Sequence, residues 1–293
     1  MQKTVLTLAL ALSFAGTSAV AATVAGGSTN TATVVAGSST LFGSGNAGLK
    51  LAGSSAYINL AGGPVTQSNN AIARGPESNG KTYLKGKDIN ILAGLVMGDT
   101  KIAQVWKNNV SYNGDTTSIN SVRQMIVPPA LVSSIMPNFG GLVIGKVEGS
   151  NVYFGEWSPK GSNYAVEVST DLNMGSAQHT AWYVGENPTT TMPTLVNAKY
   201  NVVGINQHNP ESPNVYKGVL TANYTAGDKS LTGSLVRGSS TLDFANTVIN
   251  PNGSFSKGTT ISGQFYNNAN ALAGVYKAGA GAQGDVAFGG ARQ

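Results

Sequence analysis

The chain has 293 residues and a formal net charge of +5, and only 11% of its residues are charged. It contains no cysteine, which excludes disulfides, thiolate metal sites and a cysteine nucleophile. Glycine is abundant, yet aromatic and β-branched residues are too frequent for a disordered chain. This composition is typical of an exported all-β protein with many tight turns.

The first 21 residues have the features of a secretory signal peptide. Lys3 supplies a positive charge, residues 5–14 form a short apolar run, and residues 19–21 (AVA) offer a small-residue cleavage site. The apolar run is shorter than the roughly 20 residues that a membrane span needs. A lipid anchor at the cleavage site would require a cysteine. We therefore predict a secreted, extracellular protein without a membrane anchor.

Residues 22–192 are predicted to form an amino-terminal domain that is rich in β-structure. Short β-like runs at residues 33–35 and 57–60 are separated by glycine turns. Residues 71–140 have the least regular pattern of the chain. Within them, residues 89–97 could form a strand or a short helix, and residues 128–136, which begin with two prolines, are predicted to form one short helix.

The β-pattern becomes stronger after this region. We predict four strands, of which the first two form a hairpin, and they span residues 142–147, 151–157, 164–168 and 180–184. A polar connection bounded by prolines follows at residues 187–193, and we place the domain boundary there.

Residues 193–293 are predicted to form a closed, eight-stranded antiparallel β-barrel. Alternate positions in the strands are apolar or glycine, which suits a barrel filled by its own side chains, and closure leaves no exposed edge. The predicted strands span residues 196–205, 215–224, 230–237, 242–249, 254–257, 259–265, 271–277 and 285–288. The predicted fold class is therefore all-β, with an amino-terminal β-rich domain that contains a short helix and a carboxy-terminal barrel.

Three stretches resemble a known family. Residues 265–276 (FYNNANALAGVY), followed by residues 284–292 (GDVAFGGAR), resemble the closing motif of transferrin-binding-protein-B-like barrels. Residues 152–157 (VYFGEW) and 183–190 (YVGENPTT) resemble motifs of the proteins exported by Slam-type outer-membrane translocons, which include the haemophilins. The chain departs from the closing motif in lacking a Gly-Pro pair near Asn267 and an acidic residue at Ala271, and both departures fall in a turn.

The resemblance implies that residues 22–192 form a ligand-binding handle domain and that the Slam-type translocon engages the barrel. In this family, lipid-anchored members bind host proteins, whereas soluble members carry haem to an outer-membrane receptor. Without a cysteine, the chain is expected to be a soluble haem carrier, or haemophore, that serves iron acquisition. The alternatives are a secreted or surface-associated protein that binds a host protein, and a carrier of a metal ion or another tetrapyrrole.

Haem binding requires an apolar slot and an axial ligand, and histidine is the usual ligand. Only two histidines exist, and both are candidate haem-binding and metal-ligating residues. His179 lies just before a predicted strand of the handle, and His208 lies in the loop between the first two barrel strands. Both could bind the same haem only if the handle and that loop lie close together. The alternative is that each is a surface or hydrogen-bonded structural histidine.

Other residues are weaker candidates for binding haem. A tyrosine or a methionine could replace a histidine ligand. The candidate methionines are Met97, Met125 and Met136, but methionines in such positions are more often core residues. Lys81, Lys85 and Lys87 could pair with the haem propionates or form an ordinary solvated loop. The aromatic residues that could line a slot are more often packed in the core; they are Trp106, Tyr112, Tyr153 and Trp157.

The sequence does not favour an enzyme. Residues 75–82 (GPESNGKT) fit the phosphate-loop pattern, but neither a buried strand before them nor a helix after them is predicted, so we interpret the match as chance. No nucleophile elbow and no HExxH zinc motif is present. Basic residues are dispersed, so nucleic-acid binding is not expected either.

Overall fold

The computed structural model describes residues 22–132, 138–279 and 281–293, and the predicted signal peptide lies outside them. The described residues form a mostly β fold with a large handle sheet, a small sheet and a closed barrel. No helix in this part of the chain is long and apolar enough to cross a lipid bilayer. The all-β fold class with a carboxy-terminal eight-stranded barrel is confirmed.

The described part of the handle contains ten strands and two short α-helices. They are β1 (Val24–Ser28), β2 (Val34–Ser38), β3 (Ala47–Leu51), β4 (Ile58–Asn59), α1 (Thr66–Ala73), β5 (Tyr83–Lys85), α2 (Ile91–Met97), β6 (Lys101–Tyr112), β7 (Asp115–Gln124), β8 (Gly141–Lys146), β9 (Val152–Ser158) and β10 (Thr180–Glu186). Seven strands form the antiparallel handle sheet in the order β1-β10-β9-β8-β7-β6-β5, and β2, β3 and β4 form the small sheet.

Some predictions for the handle are wrong. Residues 101–124 are not irregular, because β6 and β7 form a long hairpin around the turn at Asn113 and Gly114, where both residues have a positive φ. Residues 164–168 form turns instead of a strand, and Val168 is exposed. Residues 89–97 resolve as the helix α2. Of the predicted helix at residues 128–136, the structure describes only a 3₁₀ turn at Ala130–Val132, and residues 133–137 lie outside the described residues.

Strands β8, β9 and β10 are buried on both faces. On β9, Tyr153 and Trp157 face the small sheet and α1, whereas Phe154 faces the barrel. On β10, Trp182 and Tyr183 alternate in the same way. Side chains point to opposite faces at successive positions of a strand, so a strand between two layers must be apolar almost throughout. This explains the near-continuous apolar sequence of β9.

Nine strand segments form the barrel in the described residues. They are β11 (Leu195–Ile205), β12 (Tyr216–Tyr224), β13 (Lys229–Arg237), β14 (Ser240–Asp243), β15 (Thr247–Ile249), β16 (Ser254–Lys257), β17 (Ile261–Tyr266), β18 (Ala271–Tyr276) and β19 (Val286–Arg292). Segments β14 and β15 are the predicted strand at residues 242–249, interrupted at Asn246, which has a positive φ. The ring closes because β11 pairs with both β12 and β19, and β13 pairs with β12 on one side and β14 and β15 on the other.

The barrel interior is filled by side chains. Phe255 lies against Gly263 and Phe288 against Gly274, where an added Cβ would approach the ring to 2.1 Å and 2.7 Å. Glycine at these positions therefore leaves room for the aromatic rings inside a narrow barrel. The outer surface of β18 and β19 packs on the handle sheet through Phe154, and the Tyr266 hydroxyl donates to the Ala25 carbonyl at 3.0 Å.

Candidate functional site

A buried carboxylate lies at the junction of the handle sheet and the barrel. Glu156 is the one charged residue of β9, and its side chain is fully buried. It lies two positions after Phe154, so both side chains are on the same face of the strand. Glu156 therefore points away from the small sheet and toward the barrel. Burying a carboxylate costs several kcal/mol unless hydrogen bonds and an opposite charge compensate it. Its partners are therefore the central feature of this junction.

The two candidate histidines meet at Glu156. His179 Nε2 donates to Glu156 Oε2 at 2.6 Å, and the backbone N–H of His208 donates to Oε1 at 2.6 Å. The backbone N–H of Gln207 also donates to Oε2, at 2.8 Å. The handle and the first barrel loop thus lie close together, which was the condition for both histidines to share a ligand.

His179 is a charged structural partner in this arrangement. Its side chain is fully buried, and Nδ1 faces the carbonyl of Ala282 at 2.8 Å while Nε2 faces Glu156. Both neighbours are acceptors, so both ring nitrogens carry a proton. Burial alone would lower the pKa of His179, but the hydrogen bonds to Glu156 and Ala282 and the charge of Asp285 outweigh it and raise the pKa above its ordinary value.

His208 is buried but has a free nitrogen. The Asn108 amide donates to the carbonyl of Pro210, so its Oδ1 is the atom that accepts from His208 Nε2, at 3.2 Å. Nδ1 therefore carries a lone pair, and it has no partner among the described residues. Burial lowers the pKa of His208, and the charge of Glu156 offsets this only in part. His208 is thus neutral and has an unused lone pair.

His208 lines a groove between its own loop and the loop that precedes β10. The groove has a volume of about 510 Å³, and its walls include Val168, Asp171, Leu172, Met174, His208 and Asn209. Its surface is more polar than apolar. Among the described residues that line it, none is Lys or Arg.

Arg123 holds the handle side of this groove in place. It is almost fully buried on β7, and its guanidinium donates to the carbonyls of Asn163, Val166 and Asp171 at 2.7–3.2 Å and to Gln104 Oε1 at 3.1 Å. Burial lowers the pKa of this guanidinium, and the charge of Asp171 offsets part of the effect. The arginine satisfies backbone carbonyls that would otherwise lack donors, which fixes an irregular loop without a strand partner.

The weaker candidates do not gather at this groove. Met97 and Met125 are buried in the handle, and Met136 lies outside the described residues. Each lysine of the predicted basic cluster contacts a carboxylate at 2.6–2.8 Å: Lys81 pairs with Glu211, Lys85 with Glu77 and Lys87 with Asp99. Tyr153 and Trp157 are core residues.

No other constellation for chemistry emerges from the described part of the chain. Within residues 22–132, 138–279 and 281–293, no group of three or more His, Asp or Glu side chains is arranged to hold a metal ion. Residues 75–82 follow a helix and lead into β5, which reverses the strand-loop-helix order of a phosphate loop.

A second surface feature lies on the handle. Helix α2 exposes Ile91 and Leu95 at 85% and 81% of their surface, and the neighbouring turn exposes Leu131 at 68%. Leu92 and Val96 of the same helix are also exposed, and we call the surface formed by these residues with Ile91, Leu95 and Leu131 the α2 face. Contiguous apolar surface of this kind marks interaction sites in soluble proteins.

The central residue of the junction was missed by the sequence reasoning. In the sequence, Glu156 is part of the motif at residues 152–157, but that motif does not identify it as the residue that contacts both histidine segments. Its position gave a usable indication, because a single carboxylate inside the apolar run of residues 152–157 must be paired when the strand is buried. Asn108 gave no comparable indication.

The solved structures to which the chain is similar share low identity with it. The apo haemoglobin receptor HpuA from Kingella denitrificans has 16% identity and a TM-score of 0.37, over 65% of this chain and 83% of that chain. HpuA in complex with human haemoglobin has 15% identity and a TM-score of 0.35, over 65% and 84%. Intact Ap-TbpB (N and C lobes) has 18% identity and a TM-score of 0.31, over 66% and 39%. Because these TM-scores are below 0.5, we draw no conclusion about function from them.

The comparison with protein families is more specific. A family model matches from just before β11 to the last residue of β19, so the match covers all the barrel strands. The carboxy-terminal part of this chain, residues 190–292, is thus similar to the HphA C-terminal domain.

Proposed function

We propose that this chain is a secreted, non-enzymatic haem carrier that holds haem at the groove between handle and barrel, with His208 as the iron ligand. The observation that supports this is the neutral, buried His208, whose Nδ1 lone pair has no partner among the described residues. A free imidazole nitrogen beside a groove is what an axial ligand requires. The similarity of residues 190–292 to the HphA C-terminal domain agrees with a haemophilin-like protein.

The groove suits a haem-sized molecule in volume, and less well in polarity. Its volume of about 510 Å³ lies within the range of roughly 300–1,000 Å³ that is common for ligand pockets. Val168, Leu172 and Met174 supply apolar contacts on one wall. Because Nδ1 has almost no exposed surface, haem could reach it only if the atoms that cover it shift. The propionates would lie at the open side, since none of the described residues that line the groove is a lysine or an arginine.

His179 has a different role in this proposal. Both of its ring nitrogens are engaged, so binding iron would break its hydrogen bond to Glu156 or to Ala282. We therefore propose that His179 neutralises Glu156, which in turn holds the backbone of His208 in position. The barrel would be engaged by a Slam-type translocon during export, and delivery to an outer-membrane receptor would follow.

The test is a titration of the purified, tag-free mature protein with hemin, followed through the Soret band. We expect saturable one-to-one binding with a shifted band in the wild type and loss of that band in His208→Ala. His179→Ala should bind hemin with unchanged stoichiometry, although it should be less stable. A titration indistinguishable from hemin in buffer, or equal Soret bands in His208→Ala and the wild type, would show that the proposed haem site is wrong.

A second function is favoured by the α2 face. A protein that binds a host protein needs a broad exposed apolar surface, and Ile91, Leu95 and Leu131 provide one outside the groove. The test measures binding of purified haem-carrying host proteins to the wild type and to Leu95→Lys. Val196→Lys is the matched control, because Val196 is an exposed apolar residue on β11. Selective loss of binding in Leu95→Lys would support this function, and equal effects of both variants would exclude the α2 face.

A further inference from the structure

An apolar cavity lies inside the handle, away from the junction with the barrel. It is enclosed between the small sheet, helix α1 and the face of the handle sheet that carries Val122 and Leu142. Its volume is about 60 Å³, and it is partly open to solvent. The walls are mainly aliphatic and aromatic, with Leu49, Leu51, Ile58, Leu60, Phe42 and Phe139 as the main members.

Two polar side chains of α1 interrupt this apolar wall. Ser68 is fully buried, and its Oγ has no hydrogen-bond partner among the described residues. Gln67 is also largely buried beside it and lines the same cavity. An unsatisfied buried hydroxyl is uncommon in native proteins and destabilises them, so its presence in a cavity wall calls for a partner.

The size and the lining of the cavity define the class of partner. A volume of about 60 Å³ corresponds to about two water-sized groups, far less than a tetrapyrrole needs. Ordered water prefers two to four polar partners, and the cavity offers mainly apolar walls. A short alkyl group satisfies those walls, and one oxygen on it satisfies Ser68.

We propose that this cavity is a binding site for a slender amphiphile, an alkyl group that carries one hydroxyl or carbonyl oxygen, with Ser68 as the hydrogen-bonding residue. The alkyl part packs against Leu49, Leu60 and Leu142, and any remaining part of the molecule extends through the opening. This site is independent of the proposed haem groove and of the α2 face.

The experiment uses the mature protein with isotope-labelled Ile, Leu and Val methyl groups and two probes of similar size. 1-Butanol can hydrogen-bond to Ser68, and 1-chlorobutane lacks the hydroxyl. Both probes should shift the methyl resonances of the cavity leucines. Ser68→Ala should weaken the affinity for 1-butanol about 2- to 12-fold, whereas 1-chlorobutane should bind at least as tightly as to the wild type. Ser121→Ala is the matched control, because Ser121 also has a buried Oγ without a partner among the described residues but does not line the cavity.

Three outcomes decide the matter. Cavity-specific shifts together with a selective loss of 1-butanol affinity in Ser68→Ala support the site. Absence of shifts in the cavity methyls overturns it. Equal weakening of 1-butanol by Ser68→Ala and Ser121→Ala also overturns it, since the hydroxyl would then have no specific partner. Ser68→Ala should fold, because replacing an unpaired buried hydroxyl by a methyl group leaves the shape of the site nearly unchanged.

Discussion

The substitution Glu156→Gln tests how the junction between handle and barrel is held together. The carboxylate accepts from His179 and Gln207 through one oxygen and from His208 through the other. Glutamine keeps the shape but has only one acceptor oxygen, so its NH₂ group must face at least one of these donors. It also leaves the His179 imidazolium without its counter-charge. We expect a loss of about 3 kcal/mol in the free energy of unfolding.

The effect on stability should depend on pH. The pKa of His179 is raised in the folded protein, so the stabilisation from this ion pair is complete below its unfolded pKa of about 6.5 and is lost as the pH rises through the folded pKa. The destabilisation by Glu156→Gln should therefore be larger at about pH 6 than at about pH 9. At the lower pH, about 3 kcal/mol corresponds to a fall in melting temperature of about 6–12 °C.

The assay is urea or thermal unfolding followed by tryptophan fluorescence at both pH values. Glu211→Gln is the matched control, because Glu211 is a half-exposed partner of Lys81 and its ion pair should contribute less than about 1 kcal/mol. Two results would refute the role assigned to the buried ion pair. In one, Glu156→Gln lowers the free energy of unfolding equally at both pH values; in the other, it lowers it no more than Glu211→Gln does.

Three further predictions concern the same architecture. The wild type should lose stability as the pH falls below about 6.5, because the pKa of the buried His208 imidazole is lowered in the folded state and protonation favours unfolding. His208→Gln should lose less stability over this range, and urea midpoints from about pH 7 to about pH 5 measure the difference. Arg123→Met should make residues 159–173 the first site of limited proteolysis, since three loop carbonyls lose their donor, and an unchanged cleavage pattern would contradict this. Tyr266→Phe should lower the free energy of unfolding by about 0.5–1.5 kcal/mol, because it removes one hydrogen bond to β1. Gly185→Ala should lower it further, because the new Cβ would lie 2.7 Å from the Tyr266 ring, and chemical unfolding of both variants tests this order.

The barrel could be predicted from the sequence almost strand by strand, and the handle could not. In barrel strands that do not contact the handle, such as β12, only the inner face is buried, so period-two alternation survives, as in Tyr216, Gly218, Leu220 and Ala222. In the handle, alternation is lost where both faces are covered, and it is obscured on β7 by buried polar residues such as Asn120. The Asn113-Gly114 pair between two β-rich stretches was a usable hairpin indication that the sequence reasoning did not apply.

The candidate site was predictable in its members and not in its geometry. Sequence alone identified His179 and His208 because they are the only histidines. The free nitrogen of His208 is set by its contact with Asn108, which is 100 residues away along the chain. The nitrogens of His179 are engaged by Glu156 and Ala282, which are 23 and 103 residues away. Side chains separated by such distances are brought together only by the packing of the sheet on the barrel.

The burial of β8, β9 and β10 on both faces makes these strands a shared wall of two cores. A gene fragment that encodes the barrel alone would expose the outer apolar surface of β18 and β19, and a handle fragment would expose Phe154 and Tyr183. Truncation into halves is therefore expected to give aggregating products, although the chain passes between them only once. Sequence variation is expected to be tolerated best at the edges farthest from this wall, where α2 and the loops can change without disturbing either core.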